Sequence, residues 1–247
     1  MLLLFKLLFA HLVADFLLQP LSWVRDKEQK AFGSLKLVYH SLVHAALYAL
    51  VLSFDPHYWL GFLVLVVSHY FIDGLKSYAN GWLKKHKPTS IFNYRTLFVA
   101  DQLLHLLLIY WVVDYYRELP LPIVDLTAES WWLLALALLL LTQVSSIIIK
   151  VFISRWAPLN VYDGEHSLAN AGTYIGILER LFIFVFLVTN HWEGVGFLLA
   201  AKSVFRFGDL KEAHDRKLTE YILIGSLLSF GLAILISLAY NYLSAGF

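Results

Sequence analysis

His40-Ser-Leu-Val-His44 is the stretch on which the reading of this chain turns. Two metal-capable side chains stand four residues apart inside an apolar run. On an α-helix that spacing puts both on one face, about 6 Å apart along the axis. Three other stretches repeat the arrangement: His11 to Asp15, His69 to Asp73 and Asp101 to His105. Four such pairs on successive apolar segments predict an all-α fold whose helices gather one polar site.

Working outward, 60% of the residues are hydrophobic and 15% charged, against roughly 45–50% and about 25% in soluble domains. The chain therefore reads as a polytopic transmembrane helical bundle. At about 20 apolar residues per span, helices are expected near 2–18, 36–54, 58–79, 96–116, 131–153, 171–190, 193–207 and 219–243, the seventh being short, so seven to eight spans. The run from Met1 to Leu18 holds His11 and Asp15 and lacks a small-residue cleavage site, so it is expected to be a mature helix rather than a signal peptide. Lysine and arginine concentrate after the first, third, fifth and seventh helices, which makes those loops cytoplasmic and, with eight spans, both termini non-cytoplasmic. An acidic, proline-containing linker at 117–130 divides a four-helix His/Asp domain, 1–116, from a C-terminal membrane-helical region, 131–247.

Net charge is +1 and basic residues form no block, which argues against a nucleic-acid partner. There is no cysteine, so any bound metal takes nitrogen and oxygen ligands. Under the expected topology all four pairs fall in the cytoplasmic half. An Asp at the centre of a membrane helix costs roughly 2.5–3.5 kcal/mol, so Asp15, Asp73 and Asp101 require partners. No Lys or Arg is expected at their depth, which leaves the five histidines, a metal cation or protons. A divalent ion satisfies both residue types at once: zinc first, with iron or manganese as alternatives. His44, His69, Asp73 and His105 are the expected leading ligands, with His11, Asp15, His40 and Asp101 as a second site or supports. Interhelical hydrogen bonding is the competing explanation.

The segments His-Leu-Val-Ala-Asp-Phe-Leu-Leu-Gln (11–19), His-Ser-Leu-Val-His-Ala (40–45), Ser-His-Tyr-Phe-Ile-Asp-Gly-Leu-Lys (68–76) and Asp-Gln-Leu-Leu-His (101–105) together resemble the bacterial membrane-protein family named domain of unknown function 3307. The resemblance covers roughly the first 115 residues and implies a bacterial inner-membrane location, but no reaction. The His/Asp pattern is more distantly similar to membrane-bound metal-dependent hydrolases and to the seven-helix ceramidase and adiponectin-receptor group, by analogy alone.

In the second half, Gly172 and Gly176 form a small-xxx-small face on which a helix is expected to pack closely. Glu179 and Arg180 lie about two turns inside a span and need partners. The expected buried ion pairs are Glu179 with Lys202 or Arg180 with Glu220. Alternatively, Lys202 and Arg206 hold an anionic lipid head group.

The leading expectation is a membrane-embedded, metal-dependent hydrolase acting on a lipid or lipid-linked substrate, with Asp15 and Asp101 as candidate proton acceptors. The rivals are a metal-ion or proton carrier and a membrane scaffold. Membrane lipids are the expected partners, together with a second copy of the chain.

Overall fold

The computed structural model describes residues 2–86, 93–117, 126–156, 171–207 and 215–244, without the side chains of 117, 126–129, 204–207 and 215–218. Among the described residues the structure is helical and without strands: α1 (Leu2–Phe16), α2 (Leu21–Lys30), α3 (Leu35–Val51), α4 (Trp59–His86), α5 (Tyr94–Arg117), α6 (Leu126–Leu139), α7 (Ser145–Ile153), α8 (Ala171–Val188), α9 (Trp192–Phe207) and α10 (Asp215–Ser244). The chain divides into two compact units, Met1–Trp132 and Leu133–Phe247.

Five stretches are long and apolar enough to cross a membrane: Pro56–His86, Tyr94–Tyr116, Ser130–Ile153, Ala171–Val188 and Thr219–Ser244. A sixth is reached if α1 and the segment after it are one bent span. This is fewer than the expected seven to eight. At 1.5 Å per residue, the 15 residues of α1 and 17 of α3 rise only about 23 and 26 Å, short of a hydrocarbon core of about 30 Å. At 16 residues, α9 is short too, as anticipated.

In the first unit, α1, α3, α4 and α5 form a closed ring in which each helix packs against two others. One half of its interior is apolar, built from Leu7, Leu52, Leu65, Ile109, Val112 and Tyr116. There the Gly61 N–H donates to the Tyr116 hydroxyl at 3.0 Å. A Cβ at Gly61 would stand 2.7 Å from the tyrosine ring, so only glycine lets α4 and α5 close at this level. Outward side chains such as Leu63, Val67, Leu103, Leu107 and Tyr110 are exposed, as lipid-facing residues would be.

The other half of the ring is closed by an element that the sequence reading treats as a loop. Pro20 disfavours helix at the residue before it, and the chain turns by 83° between α1 and the segment containing α2. Thus α1 ends at Phe16 rather than 18, and α2 lies against α3 and α4. Phe32, in the 3₁₀ turn Ala31–Gly33, covers Gly74 so closely that a Cβ there would fall 2.2 Å from its ring. Glu28 accepts from Asn80 Nδ2 at 3.0 Å and pairs with Lys84 at 2.9 Å. Ser34 then caps α3 by accepting from the Lys36 and Leu37 N–H groups, while its hydroxyl donates to Asp26 at 2.6 Å. These contacts need the last turns of α4, which runs to His86 rather than 79.

The second unit packs α8 against α10 around Leu141, Ile183, Phe184, Leu187 and Phe230. Its first span contains a π-helical turn, Leu140–Val144, between α6 and α7. α6 begins at Leu126, inside the expected 117–130 linker, of which 118–125 lie outside the described residues. Among the described residues no helix packs on the expected small-residue face: nothing lies within 4 Å of a Cβ built on Gly172, and Gly176 is approached only by the Arg180 side chain, at 3.2 Å.

Candidate metal centre

The i, i+4 spacing delivers its residues as four pairs from four helices: His11 and Asp15 at the end of α1, His40 and His44 early in α3, His69 and Asp73 in mid α4, Asp101 and His105 early in α5. Their rings converge. His44 and His69 centroids lie 3.6 Å apart, His69 and His105 stack at 4.3 Å, and His11 stands 5.0 Å from His105. His11, His40 and His44 are wholly buried, and His69, Asp73, Asp101 and His105 nearly so.

Asp15 is the hub of the histidine side. Its Oδ1 faces His44 Nε2 at 2.9 Å and His40 Nε2 at 3.1 Å, while Oδ2 accepts from Gln102 Nε2 at 2.9 Å and lies 3.6 Å from His11 Nε2. Asp73 and Asp101 have a different environment, and here an expectation is overturned, since two lysines do reach this depth. Lys27 of α2, itself buried, donates to Asp73 Oδ2. Lys76 bridges the two carboxylates, 2.7 Å from Asp73 Oδ1 and 2.8 Å from Asp101 Oδ2.

Sequence reasoning missed Lys27, Lys76 and Gln102. Lys76 had a signal, because it stands three residues after Asp73 and so shares its helix face. Gln102 is adjacent to Asp101 yet reaches across to α1. Lys27 had none, because α2 carries so many charged residues that it reads as a cytoplasmic loop.

Among the described residues, three sets of donor atoms come within 4.8 Å of one another: His11, Asp15, His44 and His69; His40, His69 and Asp73; Asp73, Asp101 and His105. The four-membered set is therefore not the expected His44, His69, Asp73 and His105. Zinc–nitrogen bonds of about 2.0–2.1 Å place tetrahedral ligand atoms about 3.3 Å apart, so the first set is a small side-chain rotation from that arrangement. The donor chemistry fits as well. Among the described residues, both ring nitrogens of His11 and of His69, Nδ1 of His40 and His44, Nε2 of His105 and Oδ1 of Asp101 are buried without a hydrogen-bond partner. Each such group costs roughly 1–3 kcal/mol, a concentration that packing alone does not account for.

The second unit treats its charges differently. Arg180 donates through Nε to the Leu141 carbonyl, through Nη1 to Ser229 Oγ at 2.9 Å, and through Nη2 to the Thr142 carbonyl at 3.1 Å and Ser146 Oγ at 2.6 Å. Two of these acceptors are carbonyls of the π-helical turn. Glu220 is exposed. Glu179 pairs with Lys202 at 2.6 Å, the first of the two expected ion pairs. The Arg206 side chain lies outside the described residues.

A family model described as "Protein of unknown function (DUF3307)" matches residues 3–135, more than half of the chain. No curated protein and no solved structure matches the chain.

Proposed function

The chain belongs to the DUF3307 family, and we propose that its first unit holds a catalytic divalent ion, zinc ahead of iron or manganese, at His11, Asp15, His44 and His69. The observation that carries this is the pair of fully orphaned imidazoles, His11 and His69, beside Asp15. With neutral histidines, three carboxylates face two ammonium groups, so one negative charge is left over. It resides at Asp15, since among the described residues no lysine stands within ion-pair distance of that carboxylate. Imidazole and carboxylate around a single excess negative charge suit a divalent cation.

An ion held by these four side chains would supply a Lewis acid for a carbonyl or phosphoryl oxygen or a bound water only through a further, fifth position or by release of one of the four ligands. The chain's own residues supply the rest. Gln102 and His40 fix the Asp15 carboxylate in orientation, as outer partners of ligands do. Of the two expected proton acceptors, Asp15 is engaged by histidines, and the role falls to Asp101, whose Oδ1 is unpartnered and 3.5 Å from His105 Nε2. Lys76 holds its other oxygen. The apolar half of the ring shuts off the far side, which favours a one-sided site over a conducting path. This supports a hydrolase-like protein acting on an ester, amide or phosphoester of a lipid or lipid-linked substrate. In this reading α1 and α3 also cross, as short spans around which the bilayer thins locally, giving seven to eight spans in a bacterial inner membrane. Surrounding lipids, and a second copy of the chain, are its partners.

A second reading has its own support, because Lys27 and Lys76 already compensate two of the three carboxylates. It makes the cluster a polar scaffold. Elemental analysis of the detergent-purified protein beside a His44→Ala, His69→Ala double variant separates the two. Stoichiometric zinc, iron or manganese, lost in a folded double variant, is expected, and a lipid-hydrolase screen follows from it. A wild type that stays metal-free after reconstitution with each ion leaves the scaffold.

A further inference from the structure

Asp73, Asp101 and His105 share no residue with the four-membered set, yet they form a convergent group of their own. Two of its atoms, Asp101 Oδ1 and His105 Nε2, stand 3.5 Å apart in side chains 1% and 4% exposed, and neither makes a hydrogen bond among the described residues. The group is not without a cation, however. The Lys76 ammonium lies between the two carboxylates, at 2.7 and 2.8 Å, where an ion bound by both would sit. Lys76 also differs from the rest of the cluster in exposure: its side chain is 24% exposed, against 3% for Lys27 and 10% for Asp15. A lysine has a flexible stem and a strongly hydrated head, so a rotamer change can carry this ammonium outward while its backbone stays in α4.

We propose that Asp73, Asp101 and His105 form a second divalent-cation site whose position is held by the tethered Lys76 ammonium until an ion displaces it. Lys27 stays on the other oxygen of Asp73, so exchanging the Lys76 ammonium for a divalent ion raises the charge between the two carboxylates by one unit while the displaced ammonium moves toward solvent. Two consequences follow. The second ion binds more weakly than the first, because it must displace a paired lysine. It also takes Asp101 Oδ1, the proton acceptor assigned above, so excess metal occupies the group that the reaction needs; in this respect the inference rests on the proposed function.

Calorimetric titration of the metal-stripped, detergent-purified protein with zinc and with manganese tests this. The wild type is expected to bind in two steps. Lys76→Met should tighten the second step at least about tenfold, equivalent to about 1.4 kcal/mol, and leave the first unchanged. Asp101→Asn should remove the second step and spare the first, while His44→Ala should do the reverse. A Lys76→Met protein with a single step, or with an unchanged second step, overturns the proposal. Loss of the first step alone on His44→Ala, with the second intact, keeps the two sites distinct; absence of any first step in the wild type removes the proposed function and leaves the second site to be judged on its own step. Amine labelling of wild-type Lys76, read by mass spectrometry, needs no variant. Zinc at second-step concentrations should expose Lys76 to the reagent, and labelling that stays the same or falls counts against displacement.

Discussion

Both units bury charge among apolar helices, and they resolve it in opposite ways. Around Arg180 the donors are matched: two backbone carbonyls of a π-helical turn and two serine hydroxyls receive the guanidinium, and Glu179 receives Lys202. Around His11 and His69 the matching fails, with four ring nitrogens unused. A buried polar group that is fully bonded explains itself as structure, whereas a group of unbonded donors at convergent positions calls for a ligand. The π-helical turn belongs to the first kind. Its i to i+5 pattern turns carbonyls out of the regular ladder, and Arg180 collects them.

The largest effect that would break this contrast is expected at Arg180. Arg180→Ala takes the guanidinium from the Leu141 carbonyl and from the buried Ser229 hydroxyl, and at roughly 1–3 kcal/mol per stranded group the loss should be about 3 kcal/mol. Thermal unfolding in detergent should show it as a lowered Tm, with metal content untouched. If metal is lost in that variant while the first unit remains folded, the separation of structural from ligand-seeking polarity fails.

Next in size is removal of the ion. A ligand that binds only the folded state at one hundred times its dissociation constant adds about 2.7 kcal/mol. Chelation should therefore lower the Tm of the wild type by more than that of the His44→Ala, His69→Ala variant, which keeps only the weaker second site. A chelator effect of equal size in both would mean that the ion sits elsewhere.

The histidine side of this contrast was legible in the sequence, and the reason is geometric. The i, i+4 spacing fixes a helix face, and alternating span direction fixes the level, so His11, His40, His44, His69 and His105 could be placed together without any tertiary contact being known. The lysines could not be placed. Lys27 enters from α2, a helix created by the Pro20 break and held by Phe32 on Gly74 and by Glu28 on Asn80 and Lys84, and such long-range contacts leave no periodic trace. In the second unit Lys202 and Glu179 were identifiable because a buried acid needs a base. The partners of Arg180 were not, because the apolar run 131–153 has nothing in it that announces a π-helical turn. Likewise Gly172 and Gly176 showed a motif without showing whether a helix was there to use it.

The smallest expected effect is the sharpest test of the contrast, because it concerns sign. In metal-free protein, His69→Leu removes two orphaned nitrogens and replaces them with an apolar side chain of similar size beside His44 and His105. Replacing an unsatisfied buried polar group by an apolar one of similar shape is near neutral or stabilising, so the apo Tm should hold or rise, by the equivalent of about 1 kcal/mol at most. The same substitution removes a ligand, so the zinc-dependent increment in Tm should vanish. Arg180, each of whose three nitrogens is hydrogen-bonded, offers no such exchange: an apolar replacement there destabilises with or without metal. A His69→Leu protein clearly less stable than the wild type when both are metal-free would show that His69 is packed for the fold's sake, and the first unit would then resemble the second.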